Sequence, residues 1–307
     1  MKKILVTITL IVGFGWFAKA QIEPTKEIMQ FYTPEWKGER DAGGRPIVPD
    51  ELLDRLLNIS IEEIWGVLRG EGYFSQFESG WEMIHADQPF VGRALTVQYM
   101  PARPDVNNQI KTLGDKQGRI GASNSWPIDM LKERDVYVAD GFGKVFNGTL
   151  IGDNLGNSIY AKSKTGVVFN AGARDLEGLS KIEGFNAFVR GFDPTYIMEM
   201  MVTGINYPVR IGKATVVPGD VVLAKREGVI FIPAHLVQKV VITGEFIALR
   251  DKFGHEMLRK GVYTPGQIDA KWTDEIKDTF IKWLDDNKDA LPMSRKELDE
   301  YMKKRTW

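Results

Sequence analysis

No cysteine occurs among the 307 residues, which excludes disulfides, thiolate metal sites, iron–sulfur clusters and cysteine nucleophiles together. Histidine is nearly as scarce. His85, His235 and His255 are the only three, and no two stand at a spacing that would place both imidazoles on one metal, so a bound cation would have to rest on oxygen ligands. Neither sign of charge dominates, with 40 Lys plus Arg against 41 Asp plus Glu and no basic block. That balance argues against nucleic acid as a partner and against a polybasic membrane patch. Also missing are a G-x-x-x-x-G-K-[ST] phosphate loop and a G-x-S-x-G nucleophile elbow. Gly141-Phe142-Gly143 opens like a dinucleotide-binding turn, but Phe146 stands where the third glycine is needed, so these glycines read as a strand-ending turn.

A long apolar run occurs at the start. Met1-Lys2-Lys3 is basic, Ile4 to Phe17 is almost wholly apolar, and Ala18-Lys19-Ala20 ends in an A-x-A pattern. Together they predict a secretory signal peptide over residues 1–20, cut after Ala20, in a run too short to span a membrane comfortably. The expectation is a bacterial exported protein, periplasmic or secreted, with no membrane span in the mature chain. Cleavage removes Lys2, Lys3 and Lys19 and no acid, leaving that chain mildly acidic.

With 43% hydrophobic and 26% charged residues, the remainder can bury a full core. Residues 21–47 are rich in Pro, Gly and charge without clear periodicity and read as an extended arm. From Asp50 a helical stripe begins, because Leu52, Leu53, Leu56, Leu57 and Ile61 share one face. Val91 to Met100, Asp135 to Asp140, Gly166 to Asn170 and Phe188 to Gly191 read as strands. Val209 to Pro233 alternates valines and isoleucines about turns at Pro218-Gly219-Asp220 and Arg226-Glu227-Gly228. Helices are expected over Gly152 to Lys164, Pro194 to Val202 and Ala234 to Lys260. This alternation predicts layered α/β architecture with mixed strand directions and a small β-rich part. Beyond the core, residues 263–307 form a C-terminal helical extension, whose stripe is Ile276, Phe280, Trp283 and Leu284.

One constellation points to chemistry. Gly152-Asp153-Asn154-Leu155 opens a predicted helix, and Arg174-Asp175 ends the strand-like GVVFNAGARD. A helix start offers unpaired N–H groups and a positive dipole end to a carboxylate or phosphate, and an Arg–Asp pair leaving a strand end is able to face it. On spacing alone, an exposed ion pair beside an ordinary capped helix explains the pattern as well.

The run GDNLGNSIYAKSKTGVVFNAGARDLEGL, preceded by VADGFG and followed by PGDVVLAKREGVIFIP, resembles the class II pyruvate aldolases that cleave 4-hydroxy-4-methyl-2-oxoglutarate and 4-carboxy-4-hydroxy-2-oxoadipate. The same RraA-like family contains the RNase E regulator RraA. The resemblance covers roughly residues 48–262. It implies an α/β/β/α sandwich of the swivelling β/β/α type with mixed sheets, carrying extra N- and C-terminal segments. It implies that Asp175 binds Mg2+ or Mn2+ and that Arg174 contacts the keto oxygen of a small 2-oxo acid. Backbone amides around Gly152, Asp153, Asn154 and Leu155 would hold the pyruvyl carboxylate, while the Asp153 side chain would organise water. Glu245, Asp251 and Glu256 lie where the family draws an acid from an adjacent subunit, and Glu256 is the candidate to hold a metal-bound water there. Gly178 departs from the family's R-D-x-x-D/E, with Glu177 one residue earlier. The reaction implied is a metal-dependent lyase step, aldol cleavage or decarboxylation through an enolate. A non-catalytic regulatory role and a sugar-acid lyase or hydratase are the alternatives. A homotrimer or a pair of trimers is expected, with Trp272, Trp283 and Trp307 in the tail helices packing on or between subunits.

Overall fold

The computed structural model describes residues 22–304, so the predicted signal peptide and Trp307 lie outside the described residues. Its strands are β1 (Phe77–Glu78), β2 (Glu82–Met83), β3 (Phe90–Pro101), β4 (Asp135–Asp140), β5 (Val167–Asn170), β6 (Gly172–Ala173), β7 (Ala187–Val189), β8 (Gly191–Phe192), β9 (Met200–Ile205), β10 (Val209–Ile211), β11 (Ala214–Val216), β12 (Val221–Lys225) and β13 (Gly228–Ile232). Its helices are α1 (Lys26–Tyr32), α2 (Asp50–Leu56), α3 (Ile61–Gly70), α4 (Pro104–Lys116), α5 (Trp126–Met130), α6 (Asp153–Ser163), α7 (Leu176–Leu179), α8 (Val237–Arg259), α9 (Pro265–Asp269), α10 (Asp274–Asp286) and α11 (Arg295–Lys304).

Strand β4, DVYVAD, is buried at every position, as a strand covered on both faces must be. It lies at the centre of a mixed sheet in the order β1-β13-β12-β3-β4-β5-β7-β2. Strands β3, β4, β5 and β7 run parallel, and the flanking pairs are antiparallel. Strand β3 is long enough to serve two neighbours, β12 along its first half and β9 along its last. Leu95, Val97, Tyr137 and Phe169 point to one face and pack with Ile159 of α6. Ala94, Val136, Val138 and Val168 point to the other, where the β10–β11 hairpin covers them. That hairpin supplies the β-on-β layer, and the architecture is mixed α/β.

Three local expectations changed. The stripe from Asp50 forms two helices, because Ser60 Oγ accepts the Glu63 N–H (3.1 Å) while Glu63 Oε2 accepts the Ser60 N–H (2.7 Å), a capping box that starts α3 anew. Residues 194–202 do not form a helix. Met200 to Val202 instead pair with Tyr99 to Pro101 of β3, because an edge offering unpaired backbone groups outweighs a weak helical pattern in a methionine-rich stretch. The lead-in is not extended throughout: it contains α1, capped by Thr25, and Ile22 is buried in the main core.

The C-terminal helices pack on α8 of their own chain. Phe246, Phe253 and Met257 meet Trp272, Phe280 and Trp283 there, with the Phe253 and Phe280 rings 5.3 Å apart. Trp272 and Trp283 are thereby buried within one protomer, so they no longer argue for a subunit contact. Arg55 of α2 ties the extension down through Glu245 of α8 (2.6 Å) and Glu297 of α11 (3.3 Å).

Candidate active site

The predicted helix start and the Arg–Asp pair converge. The Leu150 N–H donates to Gly172 O (2.9 Å) and the Arg174 N–H to Ile151 O (3.0 Å), which lays the loop before α6 along the chain leaving β5. Gly152 caps α6, and a Cβ there would lie 2.2 Å from Asp175 Oδ2 and 3.2 Å from Arg174 Nε. Any larger residue there would push the Asp175 carboxylate aside. Arg174 Nη1 lies 3.2 Å from Asp175 Oδ2, both side chains remaining more than one-third exposed. Asp175 adopts a left-handed conformation (φ 57°), a strained setting for a residue other than glycine and one that recurs at functional sites.

Asp153 is the first residue of α6. Its Oδ1 accepts the Asn154 N–H at 2.8 Å. The departure at Gly178 has a packing reason: a Cβ at that position would stand 2.7 Å from Asp153 Cβ. Glu177 does not take over the missing acid's place, since it pairs with Lys181 at 2.8 Å. A cleft of about 340 Å³ opens here, bordered by Asn154, Leu155, Arg174, Asn124, Tyr196 and Ile197 among others. Asn124 and Tyr196 were not anticipated. Asn124 is buried with Nδ2 donating to Leu150 O (2.8 Å), and Tyr196 is largely exposed; neither belongs to a motif.

Glu256 lies elsewhere in this chain. Its Oε1 accepts from Lys260 (2.5 Å) and its Oε2 from Trp283 Nε1 (2.8 Å), and these bonds hold its carboxyl below the ordinary glutamate value. Glu245 is buried against Arg55, whereas Asp251 is exposed and makes no ion pair among the described residues. The Gly141-Phe142-Gly143 segment is a turn, closed by Asp140 Oδ1 accepting the Phe142 N–H at 3.0 Å. Lys213 is exposed, and half-buried Lys225 donates to Ile59 O (2.7 Å); neither lines the cleft.

The Aldolase/RraA description of the RraA-like family matches residues 62–231, more than half of the chain. The chain belongs to the RraA-like family. Protein DlpA of Legionella pneumophila is 26% identical over 210 residues, which are 65% of this RraA-like chain and only 30% of that relative's length. An uncharacterised protein from Pseudomonas syringae pv. tomato superposes with a TM-score of 0.60 at 20% identity, covering 76% of this chain and 98% of that one. RraAS2 of Streptomyces coelicolor, an unusual member of the RNase ES inhibitor RraA family, gives 0.55 at 23% identity, covering 70% and 98%. These structures share the fold.

Among the described residues no group of three or more histidine, aspartate or glutamate side chains could hold a metal. Asp175, more than one-third exposed with its Oδ2 close to the Gly152 backbone, is the hard oxygen donor at this site, of the kind Mg2+ takes when it keeps most of its waters. No helix among the described residues is long and apolar enough to cross a membrane.

Proposed function

We propose that this RraA-like chain is a divalent-metal-dependent carbon–carbon lyase acting on a 2-oxo acid with a pyruvyl unit. The observation that supports this reading is that the α6 start and Arg174 line one cleft, with Asp175 paired to Arg174 beside it. The N–H groups at the start of α6 other than that of Asn154, which Asp153 Oδ1 accepts, hold the pyruvyl carboxylate, and the positive end of the helix dipole adds to that attraction. The planar fork of Arg174 donates to the keto oxygen, where negative charge grows as the bond breaks. Asp175 would hold Mg2+ or Mn2+, which supplies further neutralisation of that charge. Asp153 orients a water that accepts the proton of the C4 hydroxyl. The C3–C4 electron pair then moves into the enolate, C4 leaves as a carbonyl, and a proton returned to C3 completes pyruvate.

Asp251, exposed and without an ion pair among the described residues, is the alternative to Glu256 for the acid given to a neighbouring copy, since the Glu256 carboxylate is engaged inside its own chain. A trimeric assembly and export of the mature chain are part of the same proposal; light scattering and cell fractionation test them. The deciding assay is pyruvate release from 4-hydroxy-2-oxo acids, with turnover lost on adding chelator and restored by Mg2+ or Mn2+. Trapping of a lysine adduct by borohydride with indifference to chelator would refute the metal assignment. A regulatory role is the second reading, favoured by the bare Gly178 where the family places an acid.

A further inference from the structure

A second cavity, about 310 Å³, lies under the lead-in segment and is lined by Tyr32, Trp36, Tyr73, Glu35, Asp220 and His235 among others. Tyr32 to Trp36 and His235 fall outside the matched residues 62–231, so this space is an addition to the family domain. Its walls are fixed by bonds within the chain. Arg40 donates to Thr33 Oγ1 (2.7 Å), Thr33 O (2.7 Å), Trp36 O (3.0 Å) and Gly44 O (2.8 Å), which sets the course of the segment. Trp36 Nε1 donates to Glu39 O (2.7 Å), which orients the indole. Tyr73 Oη lies 3.3 Å from His235 Nε2. Asp220 is 6% exposed, and its Oδ2 accepts the Val217 N–H at 2.8 Å.

Among the described residues no lysine or arginine lines the cavity. Burial lowers the His235 pKa from its ordinary value, although Glu35 and Glu71 pull the other way. Glu71 is itself paired with Lys239. Three aromatic rings, the Glu35 carboxylate and the absence of any lining lysine or arginine disfavour an anion such as a 2-oxo acid and favour a cation, which aromatic faces attract through their quadrupoles. The volume suits a small molecule.

We propose that this pocket binds a small organic cation, an amine or quaternary ammonium compound, with its head on the faces of Tyr32, Trp36 and Tyr73 and its charge met by Glu35. The site stands independently of the lyase reading. Calorimetric titration of the full chain with choline and n-butylamine tests it, against 3,3-dimethyl-1-butanol, the uncharged isostere of choline, and against methyl glucoside. At least one cation should bind, about tenfold or more tighter than the isostere. Glu35→Gln, at an exposed position, and Trp36→Ala should each weaken that binding about tenfold, whereas Arg174→Lys should leave it unchanged. Absence of binding by both cations at millimolar concentration, equal binding of the isostere, or a preference for the glucoside would overturn the proposal.

Discussion

The two cavities are of similar size, about 340 and 310 Å³, and opposite in charge. The cleft at α6 has Arg174 and a helix start, and its charged side chains are left open to solvent. The pocket under the lead-in has aromatic rings and acids, and its Trp36, Tyr73, His235 and Asp220 are braced by bonds of the chain itself while Glu35 is exposed. Volume therefore says little about what either takes up, and the sign of the fixed charge says most. The difference also separates a site made from strand ends of the family domain from one that exists only because an appended segment folds over it.

The largest separation of the two should come from Asp175→Asn, which keeps size and removes the charge proposed to hold the cation. Pyruvate formation should vanish at ordinary metal concentrations and return in part with excess Mn2+, while choline titration stays as in wild type. Next comes Arg174→Lys, expected to retain metal binding and lose about a hundredfold in turnover, the scale for one preorganised oxyanion donor, without rescue by Mn2+. If both variants turn over like wild type, the cleft is not the active site.

Asp220→Asn probes the other cavity. Burial pushes the Asp220 carboxyl from 3.8 up to about 7, so between those values the folded chain holds a proton that the unfolded chain has lost. Its contribution to stability is full below about pH 4 and is lost as pH rises through about 7. The variant keeps an acceptor for the Val217 N–H and removes the titration, so denaturant midpoints should fall less from pH 4 to 8 than in wild type. The difference should be on the order of a few kcal/mol, at about 1.4 kcal/mol for each tenfold change in proton affinity. An identical pH profile would show that Asp220 titrates as an ordinary carboxyl. The smallest effect is expected at Glu256→Gln, a slight drop in melting temperature with turnover unchanged, against a measurable loss of turnover for Asp251→Asn. The reverse pattern would place Glu256 at a neighbour's cleft.

What the linear order of residues determined is local. Buried runs such as DVYVAD and the valine-rich segments around Pro218-Gly219-Asp220 specify central strands, because only a strand covered on both faces tolerates continuous apolar character. The spacing from Gly152 to Arg174-Asp175 likewise belongs to the sequence, since a helix start and a strand end are each set by their own residues. The capping box at Ser60 was legible too, though the apolar stripe running across it disguised the break. The tertiary structure decided the rest. Whether residues 194–202 became helix or strand depended on the free edge of β3, far earlier in the chain, because backbone groups there needed partners. The partners of Glu256, Trp283 and Lys260, are set by the seating of α10 on α8 and the local turn of the helix. The aromatic and acidic pocket exists only where Tyr32 to Trp36 come to lie over Tyr73, Asp220 and His235, residues scattered along the chain whose shared surroundings no local pattern encodes.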